Sequence, residues 1–448
     1  MAKSELSYIL GNPPFLGARI MSKEQKNEVN QVFEGMKDCS NLDYVTCWYK
    51  KAVKYIQGTQ IEAAFVSTNS ICQGEQVPVL WPELMHKYGL KINFAHQTFK
   101  WSNEARGKAA VYCVIIGFGL TDRKIKSLYH YADVTSSPVE ASVNRINAYL
   151  IDAPMVFIEK TSTPICKVPE MVFGSMPNDG GHFLLSEEEK SAILKQDPSL
   201  TELIRPFMGA DEFINNIPRY CIWLKNISPK KYHNSKEIQK RISLVKELRE
   251  NSKREATQKL AEFPTLFGEI RHPDSDYLLV PSTSSEKRKY IPIGFIEENI
   301  ISSNANLLIP HATLYEFGIL NSTMHMAWVR YVCGRLKSDY RYSASIVYNN
   351  FPWPKPTDKQ REVIETAAQE VLEARKLFPD ASLADLYDKN AMPPELTKAH
   401  QKLDKTVEKA YGKSFEDDPG RVAYLFELYQ KITGDLFIEI KKKRIGRK

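Results

Sequence analysis

The stretch Tyr8-Ile-Leu-Gly-Asn-Pro-Pro-Phe15 decides the fold of this 448-residue chain. Its apolar residues predict a buried strand over Leu6 to Leu10, and the prolines end that strand because proline fixes φ and lacks a backbone donor. Apolar side chains at helical spacing follow over Asn41 to Ile56, and another strand is predicted over Ala63 to Ser67. Alternating strands and helices predict a largely parallel sheet covered by helices.

The same alternation continues further along the chain. A helix is predicted near Val79 to Tyr88, and strands are predicted over Lys91 to Ala95 and Ala109 to Phe118. The polar stretch Lys100 to Lys108 joins these two strands. This arrangement predicts an antiparallel hairpin at a sheet edge.

The turn after the first strand combines groups that suit one kind of chemistry. An exocyclic ring amine is a poor nucleophile because its lone pair is delocalised into the ring. The side-chain oxygen of Asn12 and the carbonyl of Pro13 can accept its hydrogens and direct the lone pair at a methyl donor, while Phe15 stacks on the ring. A plain Pro13-Pro14 turn is the alternative. Gly-Asn before the prolines and Phe after them favour an enzyme that methylates an amino nitrogen.

The sequence gives weaker evidence for a cofactor-binding site of such an enzyme. Users of S-adenosylmethionine carry a glycine-rich turn after their first strand, which in amino-methyltransferases usually lies well upstream of Asn-Pro-Pro-Phe. Only eleven residues precede Asn12. Gly117-Phe-Gly119 ends a predicted strand and opens no helix, so it is a weak candidate. We therefore expect the back half of an enzyme, and the sequence argues against S-adenosylmethionine binding by this chain alone.

Composition narrows the class of protein. The formal net charge of +7 and the basic tail Lys441 to Lys448 suit a polyanionic partner, although such a tail is more often only a solvated terminus. The seven cysteines show no Cys-x-x-Cys and no paired histidine spacing, so neither a metal site nor a disulfide framework is expected. No apolar run reaches transmembrane length and no signal peptide opens the chain. A cytoplasmic protein with no membrane partner is expected.

A loop of the predicted hairpin carries aromatic and basic groups together. These are Phe99, Lys100, Trp101 and Arg106. A base drawn out of a duplex needs an aromatic wall and its phosphates need cations, so the loop suits base flipping; ordinary hairpin packing is the alternative. Ser67 to Asn69 end a strand at an edge where ligands bind, although helix capping and turn chemistry explain them equally well.

Two later clusters suit contact with nucleic acid. The first contains Arg335, Lys337, Asp339, Tyr340 and Arg341. Its basic side chains can bond guanine edges, and Asp339 can accept from a cytosine amine or orient Arg341. The second, Ser285 to Tyr290, supplies Lys287 and Arg288 for phosphates, contacts that add affinity without sequence information. A charged surface loop is the alternative for each cluster.

Composition also divides the chain. Residues 150 to 355 are rich in proline, aromatic residues and short β-like runs, including Met155 to Ile158, Cys221 to Leu224 and Tyr277 to Val280. Amphipathic helices are predicted afterwards over Lys359 to Leu377, Pro394 to Tyr411 and Pro419 to Tyr429. The predicted division is 1–140, 141–355 and 356–448.

Long motifs across the chain resemble the methyltransferase part of MmeI-like (type IIL) restriction-modification enzymes. They are Leu10 to Phe15, Asn41 to Tyr49, Ser67 to Gln76, Phe94 to Lys108, Pro169 to Gly181, Thr265 to Ile270 and Gly334 to Ser343. The resemblance implies a partial Rossmann-like α/β methyltransferase sheet, then an α+β target recognition domain and a C-terminal helical region. The nuclease, the connector and the glycine-rich turn of the family are not recognised in the sequence.

The resemblance also implies a function. Residues Asn12, Pro13, Pro14 and Phe15 would grip a flipped adenine for N6 methylation, with S-adenosylmethionine as the methyl donor in the intact enzyme. Double-stranded DNA is the expected partner. A separate N-terminal half that carries the cofactor site and the nuclease is a second possible partner. A DNA-binding module without catalysis is the first alternative. Methylation of a protein glutamine amide is another, disfavoured because residues 150 to 355 form a large added domain.

Overall fold

A six-stranded mixed sheet forms the first region in a computed structural model that describes residues 3–101, 111–131 and 133–445, with side chains through residue 435. The strand order is β1-β2-β4-β3-β5-β6. The strands are β1 (Tyr8–Gly11), β2 (Glu62–Thr68), β3 (Lys91–Trp101), β4 (Val111–Gly119), β5 (Lys126–His130) and β6 (Val139–Val143).

The strand directions correct part of the expectation. β1 is parallel to β2 and β3 is parallel to β5, whereas β4 and β6 run antiparallel to their neighbours. The antiparallel pairing of β3 with β4 is confirmed, but the hairpin does not lie at a sheet edge, because β4 inserts between β2 and β3 and two further strands extend the sheet. The carboxyl ends of β1, β2, β3 and β5 consequently share one edge.

β1 is the outermost strand, and the prediction that it is buried was wrong. Among the described residues it pairs only with β2. Tyr8 is 66% exposed and Leu10 is 78% exposed. Apolar side chains alternate to one face of a strand, so these two lie together on an uncovered face. The apolar run predicted a strand but could not show which neighbours would cover it.

Helices cover the sheet; the helix predicted over Asn41 to Ile56 begins later than its pattern suggested, at Thr46, and the helix predicted near Val79 begins earlier, at Val77. The helices are α1 (Lys23–Val32), α2 (Thr46–Tyr55) and α3 (Val77–Pro82), the last continued by a π-helical turn over Glu83–Lys87. Tyr49 of α2 is fully buried, with its ring 5.4 Å from Phe118 and 5.3 Å from Phe65. Its hydroxyl lies 2.7 Å from the Ser67 hydroxyl, which satisfies both buried polar groups.

Short strands and helices form the second region. Its strands are β7 (Val172–Phe173), β8 (Leu184–Leu185), β9 (Ile204–Met208), β10 (Tyr220–Ile222), β11 (Tyr277–Pro281), β12 (Thr283–Ser284), β13 (Gly294–Ile296), β14 (Ile301–Ser302), β15 (Asn306–Pro310), β16 (Gly334–Leu336) and β17 (Asp339–Arg341). Its helices are α4 (Glu187–Gln196), α5 (Ala210–Asn215), α6 (Lys236–Glu250), α7 (Glu255–Lys259), α8 (Leu314–Leu320) and α9 (Thr323–Val332). The β-like run at Met155 to Ile158 forms no strand.

One buried guanidinium organises the loops of this region. Arg249 of α6 is 1% exposed and donates to five backbone carbonyls at 2.8 to 3.1 Å. The acceptors belong to Pro177, Asn178, Leu260, Phe263 and Leu266. Five donors of one planar group thus replace water for five carbonyls, which joins two loops that lie far apart in sequence.

The third region is helical, as predicted. Its helices are α10 (Asp358–Lys376), α11 (Leu383–Leu386), α12 (Pro394–Ala410) and α13 (Asp418–Ile445). A Cβ placed on Gly318 of α8 would lie 3.0 Å from Ile364 and 3.2 Å from Ala368, so glycine allows α8 to approach α10 closely. Tyr290 donates to Asp404 at 2.6 Å, which joins this region to the second.

Three further observations concern the whole chain. β6 runs through residue 140, and the proposed division there stays a prediction. All seven cysteines are free thiols. Of the helices in the described ranges, none combines the length and apolarity that crossing a membrane requires.

Candidate functional site

The Asn-Pro-Pro-Phe turn begins at the shared carboxyl edge of the sheet. Gly11 pairs with Phe65 in the β1–β2 register, and a Cβ at Gly11 would lie 3.1 Å from the Phe65 ring. Glycine is therefore needed for the turn to lie against this ring. Asn12 and Pro14 are exposed, whereas Pro13 is buried and Phe15 is half-buried. The amide of Asn12 is thus free to meet a ligand while the turn is anchored beside it.

The segment after this turn is held by the start of α2. The Ala18 amide donates to the Asp43 carboxylate at 3.2 Å, and the Tyr44 amide donates to the Leu16 carbonyl at 2.9 Å. The hydroxyls of Thr68, the last residue of β2, and of Ser70 just beyond it donate to the same carboxylate.

Ser67 to Ser70 therefore have partners inside the protein. Ser67 points into the core toward Tyr49, and Thr68 and Ser70 bond Asp43. The side chain of Asn69 donates to Thr98 at 3.4 Å. These contacts favour turn chemistry over direct cofactor contact.

An aromatic surface extends along β3 and β5 at the same edge. Phe99 stacks on Tyr131 with ring centroids 5.4 Å apart, and His96 stacks on Tyr129 at 4.1 Å. The Tyr131 hydroxyl lies 2.9 Å from Nδ1 of His96, and burial lowers the pKa of His96. A neutral imidazole at neutral pH keeps this surface uncharged.

The loop predicted for base flipping begins later than expected, because Phe99, Lys100 and Trp101 belong to β3 and continue this surface. Trp101 is 40% exposed and Lys100 is exposed, while Phe99 is half-buried. Arg106 lies outside the described residues. His96, Tyr129 and Tyr131 were missed by sequence reasoning; the alternation of Tyr129 and Tyr131 was the available signal, because alternate residues of a strand share a face.

The first recognition cluster forms the β16–β17 hairpin, whose two faces differ. On the inner face, the Arg335 guanidinium lies 4.0 Å from the Tyr340 ring and donates to the carbonyls of Ser338 at 3.1 Å and Arg330 at 3.0 Å. Tyr340 is 3% exposed. Arg335 and Tyr340 therefore support the hairpin and do not face solvent as the sequence prediction required.

The outer face carries the other members of the cluster. Lys337 and Arg341 are exposed, and Asp339 is half-buried. Lys337 has φ of +58°, a left-handed conformation that fits a tight turn. Leu336 pairs with Asp339 in the strand register and is 44% exposed. This outer face presents basic, acidic and apolar groups together.

The second cluster links the hairpin to the sheet. Glu286 accepts a hydrogen bond from Tyr112 of β4 at 2.8 Å and lies 3.9 Å from the Arg335 guanidinium. Lys287 is exposed, whereas Arg288 is half-buried and burial lowers its pKa. Of the two side chains predicted to contact phosphate, Lys287 is therefore the exposed one.

A glycine pair brings the sheet region and the hairpin into direct contact. Gly74 has φ of +56°, and a Cβ there would lie 2.9 Å from the Gly334 Cα. This contact places the β16–β17 hairpin against the sheet region, and the Tyr112–Glu286 bond joins the neighbouring 285–290 segment to β4.

Neither of two clefts found in the described residues borders the Asn-Pro-Pro-Phe turn. One, of about 500 Å³, is lined by residues of 3–8, 59–62 and 119–123. The other, of about 820 Å³, is lined by residues of 36–41, 75–87 and 159–160. The exposed amide of Asn12 and the half-buried ring of Phe15 would fit a planar ring with an amino group, and neither of the two clefts offers a cofactor pocket beside them. In the described part of the chain no group of His, Cys, Asp and Glu side chains fits a metal ion.

Comparison with known sequences now decides the family. Sequence models of MmeI match three ranges: the DNA-methyltransferase domain over 1–130, the target recognition domain over 152–355 and the C-terminal domain over 356–437. The chain belongs to the MmeI family. The resemblance drawn from the motifs is confirmed, and so is the order of methyltransferase sheet, recognition domain and helical end.

Two relatives extend this result. DNA methyltransferase A of Bacillus subtilis (strain 168) is 42% identical over 431 residues, which cover 96% of this chain and 48% of that protein. The structure of the type IIL restriction-modification enzyme MmeI in complex with DNA matches with a TM-score of 0.89 and 49% identity, over 96% of this chain and 58% of that one. The chain thus spans about half the length of these relatives.

Proposed function

We propose that this chain is the part of a DNA adenine-N6 methyltransferase that holds the target base and reads the DNA sequence. The observation that carries the proposal is the exposed Asn12 on an anchored turn at the carboxyl edge of the sheet. Membership of the MmeI family supports DNA as the substrate. S-adenosylmethionine is the expected donor and supplies an electrophilic methyl group.

The turn orients the amine. The Asn12 side-chain oxygen and the Pro13 carbonyl accept its two hydrogens, so the lone pair faces the methyl group. Phe15, already half-buried, stacks on one side of the adenine ring. As the nitrogen bonded the methyl carbon, the carbon–sulfur bond of the donor would break and leave a neutral thioether, and the methylated amine would then lose a proton to solvent. Orientation and hydrogen bonding provide most of the rate enhancement.

The aromatic surface of β3 and β5 receives the base that leaves the duplex. Phe99 and Trp101 supply ring faces, and Lys100, with Arg106, neutralises flanking phosphates. The stack of Phe99 on Tyr131 supports this role because it fixes one ring before a base arrives.

The outer face of the β16–β17 hairpin reads base edges. Lys337 and Arg341 donate to acceptors on guanine, and Asp339 accepts from a cytosine amine. Lys287 contacts phosphate, while Arg288, Arg335 and Tyr340 hold the hairpin in place. The exposure of Lys337 and Arg341 supports this division of roles.

The outer edge of β1 pairs with a strand of a cofactor-binding half, which this chain needs for methyl transfer. The support is the uncovered face that carries Tyr8 and Leu10. An unpaired, apolar edge strand is a template for another strand. By itself the chain is expected to bind DNA without transferring methyl groups.

Calorimetric titration tests the proposal. The purified chain is titrated with S-adenosylmethionine and, separately, with a mixed-sequence duplex at low and moderate salt. Salt-sensitive DNA binding without cofactor binding supports the recognition half of a larger methyltransferase. Micromolar cofactor binding shows that the chain holds the donor alone, and absence of DNA binding overturns the proposal.

The alternative, a DNA-binding module without catalysis, is favoured by the unpaired edge of β1. To distinguish the two proposals, the chain is combined with the part of the Bacillus subtilis relative that it does not match, and methyl transfer to unmethylated phage DNA is measured. Methyl transfer that is lost when Asn12 is replaced would exclude a DNA-binding module without catalysis.

A further inference from the structure

Asp43 is a buried carboxylate whose hydrogen-bond partners carry no charge. It is 7% exposed. Its oxygens accept from the Ala18 amide at 3.2 Å, from Thr68 at 3.2 Å and from Ser70 at shorter range. Burial of an ionised carboxylate is costly unless several hydrogen bonds compensate it.

These donors come from segments that the proposed chemistry needs. Ala18 lies in the segment that continues from the Asn12–Phe15 turn. Thr68 is the last residue of β2, the strand beside β1, and Ser70 lies just beyond it. The Asp43 carboxylate is therefore a common acceptor at the edge where the target base is expected.

Asp43 is itself fixed from several directions. Its backbone amide donates to the Gln76 side chain at 3.0 Å, and its carbonyl accepts from the Thr46 hydroxyl at 2.7 Å. The next residue, Tyr44, bonds the Leu16 carbonyl at 2.9 Å. Because Thr46 opens α2, its hydroxyl bond ties the segment that carries Asp43 to the first turn of this helix.

We propose that Asp43 is a positioning residue for methyl transfer, holding the Asn12–Phe15 turn in register with the end of β2 through its three hydrogen bonds. The inference rests on the proposed function for its catalytic consequence but not for its structural one. Asp43 acts through the Ala18 amide and does not touch the substrate. A displacement of about 1 Å in such a turn costs about a hundredfold in rate.

Hydrogen–deuterium exchange of the full chain tests the structural part. Asp43→Ala removes both acceptor oxygens, so exchange of the 12–20 segment is expected to accelerate at least tenfold. Asp43→Asn keeps one acceptor oxygen for the Ala18 amide, while its new donors face hydroxyls that can also accept, so it restores most of the protection. Ser70→Ala removes one donor and gives an intermediate result.

Asp179 provides the matched control. It is also buried, at 4% exposure, and accepts from the amides of Gly181 at 3.0 Å and Phe183 at 2.6 Å, in the recognition region. Asp179→Ala is expected to leave exchange of the 12–20 segment unchanged. If Asp43→Ala does not fold, Asp43→Asn and Ser70→Ala decide the question.

Methyl transfer tests the catalytic part, with each variant combined with the unmatched portion of the Bacillus subtilis relative and unmethylated phage DNA. Asp43→Ala is expected to lower kcat about a hundredfold with little change in KM for DNA, and Asp43→Asn to recover at least tenfold. Unchanged exchange of the 12–20 segment in Asp43→Ala overturns the proposal, as does an Asn variant no better than Ala. If Asp43→Ala alters exchange of the 12–20 segment but the wild type transfers no methyl groups, the result counts against the proposed function and not against the structural role of Asp43.

Discussion

The sheet region (residues 3–143) and the recognition region (residues 152–355) are stabilised in different ways. The sheet region leaves Leu10 78% exposed on its end strand and presents Asn12 to solvent. The recognition region buries Arg249 to 1% exposure and satisfies five carbonyls with it. The first region thus leaves an apolar strand and its catalytic candidate exposed, whereas the second holds its loops together through one buried charge.

Removing the Arg249 guanidinium should have the largest effect. Arg249→Met leaves five buried carbonyls without a donor, so the recognition region is expected to lose about 3–5 kcal/mol of unfolding free energy. Lys246→Met on the same helix removes a lysine that is 55% exposed and paired with Glu250, and should cost under about 1 kcal/mol. Urea unfolding measures both, and equal losses would contradict the role given to Arg249.

The exposed side chain of the sheet region should matter for chemistry and not for stability. Asn12→Ala is expected to lower methyl transfer by at least about a hundredfold in the combined system, because an acceptor for the amine is lost. DNA affinity and the melting temperature should stay within error. Asn27→Ala, which alters another exposed asparagine, is the control; a similar loss there would remove the argument for Asn12.

As the pH falls, the recognition region and the helical end should lose stability at a higher pH than the sheet region. Burial lowers the pKa of His272 to about 4 and of His325 to about 3, and lowers that of His400. These imidazoles stay neutral when folded but take a proton in the unfolded chain below its usual pKa of about 6.5. Their contribution to stability is therefore complete above about pH 6.5 and declines as the pH falls from there toward about 4.

Hydrogen exchange at pH 7 and pH 5, corrected for the intrinsic rate, measures this difference. His96 and His130 of the sheet region are only half-buried, so protection there should change less. His325→Gln should reduce the dependence of the unfolding free energy on pH. Equal loss of protection in both regions would mean that the buried histidines do not set acid stability.

The open edge of β1 should show the smallest effect. Leu10→Lys places a charge on the uncovered strand, so any self-association of the chain is expected to weaken about tenfold, equivalent to about 1.4 kcal/mol. Ile125→Lys alters a side chain that is 70% exposed away from this edge and is the control. Sedimentation velocity measures both, and a wild-type chain that is monomeric at high concentration would show that β1 does not associate by itself.

The sequence by itself predicted four strands of the sheet, the helix α2 and the long helices of the third region, and it singled out the residues of one turn. Apolar periodicity predicted α10 and α12 to within a residue or two, because a helix that buries one face must repeat every 3.6 residues. Asn12 to Phe15 stood out because their chemistry is local to four adjacent residues.

Only the tertiary structure decided how these elements combine. β4 lies between β2 and β3, and the motif strand lies at the edge, because strand order depends on distant pairings that local patterns do not encode. In the same way Arg335 and Arg341 look alike in sequence, yet one turns inward over Tyr340 and the other faces solvent. Asp43 looked like part of a helix, and its role became visible only when Ala18, Thr68 and Ser70 met around its carboxylate.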